Sequence, residues 1–234
     1  AEAIMSGVRN QNYHSYNPNG PQERALTAAI EDGDLTEVRR LVDEVDLEHF
    51  DAVTPLFKNG QADETIALEL LNAGLNLKTT GYLPYDRGFR FDSMRCEFNF
   101  LHAAQVAKQP NLIREVLKIA PNLVHESSKG PNILVGSDKD LSYCGIHPFF
   151  LALRVGYRSA LGALVEGMEN PHDRWAYLNV GLIWALNDNT VSEEQAVQLL
   201  ELGADPKAIL PHTLSIPGEY RSRPILYKRA PTTS

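Results

Sequence analysis

Cysteine is nearly missing from this chain of 234 residues: only Cys96 and Cys144 occur, and neither belongs to a CxxC pair or a Cys/His cluster with zinc-ligand spacing. A disulfide framework and a zinc finger are therefore excluded, and a reducing compartment, the cytoplasm, is the expected setting. Long apolar runs are missing too. Nothing approaches the ~18 consecutive apolar residues of a membrane span, and residues 1–20 carry Asn, Tyr, Ser and Gly where a signal peptide needs an apolar stretch. Positive charge is in short supply: 22 Lys and Arg face 30 Asp and Glu, for a net charge of −8 and an isoelectric point near 5.4. Duplex nucleic acid and anionic membranes repel such a molecule as a whole, so neither is expected as a partner. There is no GxxxxGKS/T or GxGxxG loop to cradle phosphate, and the seven histidines form no HxxxH or HExxH pair. No cofactor and no bound metal are expected.

What is present is an ordinary globular balance, 43% hydrophobic and 22% charged, arranged in a recurring helical phrase. One copy runs through His147, Pro148, Phe149, Ala152, Leu153, Gly156, Leu161, Leu164 and Val165. Another places Leu26, Ala29, Ile30, Gly33, Val38, Leu41 and Val42 at the same internal offsets. Looser copies run from Thr54-Pro55-Leu56 to Leu70, Leu71 and Gly74, from Leu101-His102-Ala103-Ala104 to Val116 and Leu117, and from Leu182, Ala185 and Leu186 to Leu199, Leu200, Gly203, Ala204 and Asp205. Anchors at Leu26, Leu56, Leu101, Phe149 and Leu182 give spacings of 30, 45, 48 and 33. The alanines let the first helix of each pair approach its neighbours, and the paired Leu and Val positions of the second close the layer. Each pair alone exposes an apolar face that stacking buries. Gly74 and Gly203 sit where a helix end needs positive φ. Leu164 and Leu200 read as core positions, and so do Trp175 and Trp184.

These phrases resemble the ankyrin repeat, with its T-P-L-H-x-A-A opening, its glycine, and its V-x-x-L-L-x-x-G-A-D close. Thr54-Pro55-Leu56 matches the start, Leu101-His102 with Ala104 the middle, and Leu199-Leu200 with Gly203-Ala204-Asp205 the end. The resemblance implies an all-α, ankyrin-like helical-repeat solenoid with extended loops or short hairpins between helix pairs. It divides the chain into an N-terminal extension (1–21), a repeat domain (22–210) and a Pro-rich basic tail (211–234). Repeats fall near 22–50, 52–78, 98–125, 145–168 and 178–207, with insertions at 78–97 and 126–145. The family's histidine and Thr-Pro positions fall on His102 and on His147-Pro148, so both histidines are expected to tie down their own turns. The implied activity is that of a protein-protein interaction module, an effector or regulatory scaffold, with recognition by inter-repeat turns and a concave helical face. Irregular repeats of this kind also fit a protein delivered into a host cell.

Within that frame the first insertion is the leading candidate for partner binding. It combines Tyr82, Tyr85, Phe89 and Phe91 with Arg87, Arg90 and Arg95, and aromatic and Arg side chains join contact area to forked hydrogen bonding. Phe89 and Phe91 alternate with Arg90, which also fits a finger that buries one side against its neighbour. The first repeat is acidic, with nine carboxylates against Arg39 and Arg40 over residues 31–51, and reads first as a solvated cap. The tail from Lys207 onward has five basic residues against Glu219. The alternative reading is a hydrolase or transferase in a cleft between the insertions. Its reactive groups would be Cys144, His147 and Asp140, since a nucleophilic thiol needs a base and an orienting group beside it.

Overall fold

The computed structural model describes residues 20–83, 97–126, 147–155, 158–187 and 193–207. These residues are mostly helical. The elements, in order, are α1 (Pro21–Asp32), α2 (Leu35–Leu41), α3 (Val53–Leu56), α4 (Glu64–Asn72), β1 (Gly81–Tyr82), β2 (Glu97–Phe98), α5 (Phe100–Val106), α6 (Pro110–Ile119), a 3-10 helix (Pro121–His125), α7 (Pro148–Val155), α8 (Arg158–Gly167), α9 (Pro171–Asn187) and α10 (Glu193–Glu201). The last pair thus opens at Pro171, upstream of residue 178.

Local chemistry sets the helix starts. Pro21 and Pro110 open their helices, where the missing N–H costs nothing. Asp34, Asp63 and Asn99 accept the first free backbone N–H groups of α2, α4 and α5 from Glu37, Thr65 and His102. The helix ends repeat one backbone motif. Asp34 N–H donates to Ala29 O, Leu75 N–H to Leu70 O, Gln109 N–H to Ala104 O, and Ala204 N–H to Leu199 O. Each bond closes a six-residue loop around one residue of positive φ: Gly33, Gly74, Lys108 or Gly203. The positive φ expected at Gly74 and Gly203 is therefore present.

Paired helices pack on each other and on their neighbours. The first helices touch in series as α1 with α3, α5 with α7, and α7 with α9; the second helices touch as α2 with α4, α4 with α6, and α6 with α8. One contiguous core results. Val38, Ala67, Ile113, Leu161 and Ala196 occupy equivalent buried positions in α2, α4, α6, α8 and α10, and Leu41, Leu70, Val116, Leu164 and Leu199 another such set. Burying each of the larger side chains is worth roughly 1.5–3 kcal/mol. Between helices, the Gln109 side chain accepts from Ala62 N–H at 2.9 Å and donates to Ala62 O at 2.8 Å. This amide pair pins the turn before α4 to the start of α6.

Three expectations change. The second copy is displaced: Gly60, with φ of 84°, donates to Phe57 O as Gly33 does to Ile30 O and Lys108 does to Gln105 O. Val53, not Leu56, is therefore the equivalent of Leu26, because α3 is only four residues long. Leu200 is not core: it is 42% exposed, whereas its equivalents Val42, Leu71, Leu117 and Val165 are at most 8% exposed. Trp175 also stands at the surface, stacked on His172, while Trp184 is partly buried at the edge of the core and packs edge-on against Phe150. Among the described residues, no helix is long and apolar enough to cross a membrane.

Candidate functional site

The two insertions leave the helical stack from adjacent roots. After α4 the chain turns at Gly74, and Asn76 ties it back to the preceding loop, its N–H donating to Leu47 O and its side-chain amide to Glu48 O. It then enters β1. There Gly81 pairs with Phe98 and Tyr82 with Glu97 in an antiparallel arrangement, so the first insertion starts as a hairpin.

Side chains brace this root against α3. Thr80 Oγ1 and Tyr82 Oη donate to the two oxygens of Glu97 at 2.9 and 3.0 Å. Tyr82 N–H donates to Thr54 Oγ1, which in turn donates to Asp51 Oδ2 at 2.6 Å. Asp51 Oδ1 accepts from Thr54 N–H at 3.0 Å. Burial pushes the Asp51 carboxyl above its usual range, against the lowering effect of the Thr54 hydrogen bonds. Glycine at 81 leaves room for the Asp51 carboxylate, since a Cβ there would lie 2.2 Å from Asp51 Oδ1 and the carboxylate would have to shift.

The second insertion departs after the 3-10 helix, at Glu126, and its chain returns at His147. Lys78 Nζ, in the root of the first insertion, meets Glu126 Oε1 at 2.9 Å. One ion pair thus joins both roots.

His147 sits at the return point and is fully buried. Its Nδ1 accepts Phe149 N–H at 3.2 Å and its carbonyl accepts Leu151 N–H, so the residue caps α7. With Nδ1 an acceptor, Nε2 carries the ring proton and faces Tyr177 Oη at 2.8 Å. The rings of His147 and Tyr177 also stack, 4.7 Å between centroids. Tyr177 Oη lies 3.3 Å from His125 Nδ1, and His125 Nε2 lies 3.7 Å from Asp173 Oδ2 at the half-buried end of the chain of groups. Burial, helped by the charges of His102 and His125, holds the His147 imidazolium down to a pKa of about 3, so the ring is neutral near neutral pH. His102 is likewise buried, its Nδ1 2.7 Å from Asn99 Oδ1. Both histidines thus tie down their own turns.

Of the partner-binding candidates, Tyr82 alone is described, and it is half-buried in the root; Tyr85, Arg87, Phe89, Arg90, Phe91 and Arg95 lie outside the described residues. Cys144 and Asp140 also lie outside them. Glu97, Asp51, Tyr177 and Asp173 were not singled out in the sequence. Glu97, Tyr177 and Asp173 escape a reading of local patterns because their partners lie 15 to 52 residues away, whereas Asp51 meets Thr54 only three residues on. Among the described residues no three His, Cys, Asp or Glu converge to hold a metal.

No protein family, curated protein or solved structure matches the chain. The geometry therefore has to carry the functional reading alone.

In the acidic first copy, three of the nine carboxylates over residues 31–51, those of Glu31, Glu37 and Glu44, are paired with Lys or Arg. Lys58 meets Glu31, Arg39 meets Glu69, and Arg40 meets both Glu37 and Glu44. These exposed pairs contribute little stability, roughly 0–1 kcal/mol each. They do reduce the field available to steer a basic partner.

Proposed function

We propose that the chain is an ankyrin-like helical-repeat solenoid whose function is to bind a partner protein through its two insertions and adjoining concave face. The observation that carries this reading is the Lys78–Glu126 ion pair, which sets the roots of both insertions side by side. Two segments far apart in sequence then leave the stack side by side, which supports a joint contact with one partner. The recurring helix, positive-φ turn and helix supports the repeat assignment. The bracing of Glu97 by Thr80 and Tyr82 supports presentation from a rigid base, which reduces the entropy lost on docking.

The alternative of a hydrolase or transferase using Cys144, His147 and Asp140 finds no support at His147. Both of its ring nitrogens are engaged within the fold, one with Phe149 N–H and the other with Tyr177 Oη. A base that activates a thiol needs one nitrogen free to take the proton.

Affinity capture from lysate with mass-spectrometric identification tests the proposal. Wild type is compared with a variant in which Tyr85, Arg87 and Arg90 are changed to Ala, its folding checked by circular dichroism. Tyr82 stays in place because its hydroxyl braces Glu97. A partner held by the wild type and lost by the variant is the expected result. Capture of one partner by both moves the contact to the concave face or second insertion, and failure to capture any specific partner counts against a binding module.

A further inference from the structure

Among the described residues, the helical stack ends on an apolar face that no other helix covers. In the register that aligns Leu182 with Leu26, Leu186 occupies the position held by Ile30, Phe57, Gln105 and Leu153 in the four preceding pairs. Those four are at most 5% exposed, because the following pair covers each of them; Leu186 is 71% exposed. Leu200 shows the same contrast on the second helix, with 42% exposure against at most 8% for its equivalents. One position on each helix of the last pair is thus built as core and left uncovered.

We propose that this face is covered by the chain's own C-terminal segment, residues 208–234. The segment starts at the right place. Asp205 N–H donates to Asn179 Oδ1 at 2.7 Å, so the chain leaves α10 held against the middle of α9. Ile209, Leu210, Leu214 and Ile216 then follow within eight residues. At about 3.3–3.6 Å per residue they reach across a helix pair. The charges also match. The α10 helix carries Glu193, Glu194 and Glu201 and no basic residue, with both N-terminal glutamates exposed. The segment carries Arg221, Arg223, Lys228 and Arg229 against Glu219 alone. The apolar residues of the segment take the place of a following pair over Leu186 and Leu200, and its cations lie near Glu193 and Glu194.

Amide hydrogen exchange on the full chain, read by mass spectrometry, tests this, together with sedimentation of the same sample. Residues 208–216 are expected to exchange at least about tenfold more slowly than an unprotected peptide. In a Leu186→Ser/Leu200→Ser variant they are expected to return to the unprotected rate. Both replaced side chains are exposed on their helices, so the helices persist, and a Leu186→Ala/Leu200→Ala pair, which keeps high helix propensity, takes the variant's place if the serine pair misfolds. Unprotected exchange of residues 208–216 in the wild type overturns the proposal. Protection that the variant leaves unchanged overturns it too, since the segment is then covered elsewhere. A wild-type dimer that the variant converts to monomer assigns the face to a second copy and also overturns it.

Discussion

The buried imidazole of His147 makes the fold acid-sensitive in a way that can be isolated. Its pKa is about 3 in the folded chain against an ordinary 6.5, so between these values the unfolded chain binds a proton that the folded chain refuses. Stability therefore falls as pH falls, by about 1.4 kcal/mol per pH unit, beginning near 6.5 and levelling off near 3. Over the whole window the loss is about 5 kcal/mol, and between about pH 7 and about pH 5 it is about 2 kcal/mol. Asp51 acts in the opposite direction: its raised pKa means that the folded chain takes up a proton before the unfolded one, which stabilises it on acidification. A single pH titration mixes the two, so the comparison has to be with a variant. In His147→Thr the hydroxyl can still accept Phe149 N–H and cap α7, while the titrating ring is gone. The lost stacking on Tyr177 lowers stability equally at every pH. Urea unfolding followed by circular dichroism at a series of pH values is the assay. The variant is expected to lose about 2 kcal/mol less than wild type between about pH 7 and about pH 5. Parallel curves for the two proteins would refute the reasoning.

Leu164→Ala is expected to cost about 2–5 kcal/mol by opening a cavity at a position that the helices bury fully; Leu200→Ala, at a position that the helices leave 42% exposed and only the C-terminal segment covers, is expected to cost less. Equal losses in urea unfolding would show that the two positions are covered alike. Gln105 is fully buried with neither amide atom hydrogen-bonded, at a position that holds Ile30 and Leu153 in other pairs. Gln105→Leu should therefore raise the unfolding free energy by about 1–3 kcal/mol, and a drop in melting temperature would contradict this. Gly81→Ala forces a Cβ against Asp51 and is expected to lower stability by about 1–3 kcal/mol; an unchanged melting temperature would mean that the hairpin root yields freely.

How much of this was legible in the sequence depended on how local each signal was. The copies around residues 26–42 and 149–165 were readable because their core positions keep one internal spacing, and all the apolar ones are buried. The second copy was misaligned by three residues. Thr54-Pro55-Leu56 looks like a repeat opening, but the helix there is one turn long and its turn glycine is Gly60. The turn-tying role of His102 and His147 is legible because their ring nitrogens meet partners two or three positions away. Leu200 misled for the opposite reason. Its pattern is that of every other copy, and its exposure is set by what packs outside it, which no internal spacing encodes. The Glu97 brace and the His147–Tyr177 contact were also illegible, since each joins residues at unrelated separations.

On the proposed repeat reading, stability is a sum of terms from neighbouring interfaces, and these terms are unevenly placed. The α9–α10 pair has helices on one side only among the described residues. Its Leu186 and Leu200 gain little burial from other helices, and Gln195 in α10 fills a core position with an amide that needs Leu153 O as acceptor, where α4 has Ile66. Local opening is therefore expected to start at this end, well before the middle of the stack. The insertions are rooted elsewhere, beside α3, α5 and the 3-10 helix, where pairs lie on both sides and the Gln109–Ala62 amide pair adds a further tie. A surface displayed from this middle region keeps its geometry while the terminal pair opens and closes. Partner binding at the insertions and covering of the open end should accordingly be energetically separable, and hydrogen exchange in the presence of a captured partner should protect residues 78–83 without slowing α10.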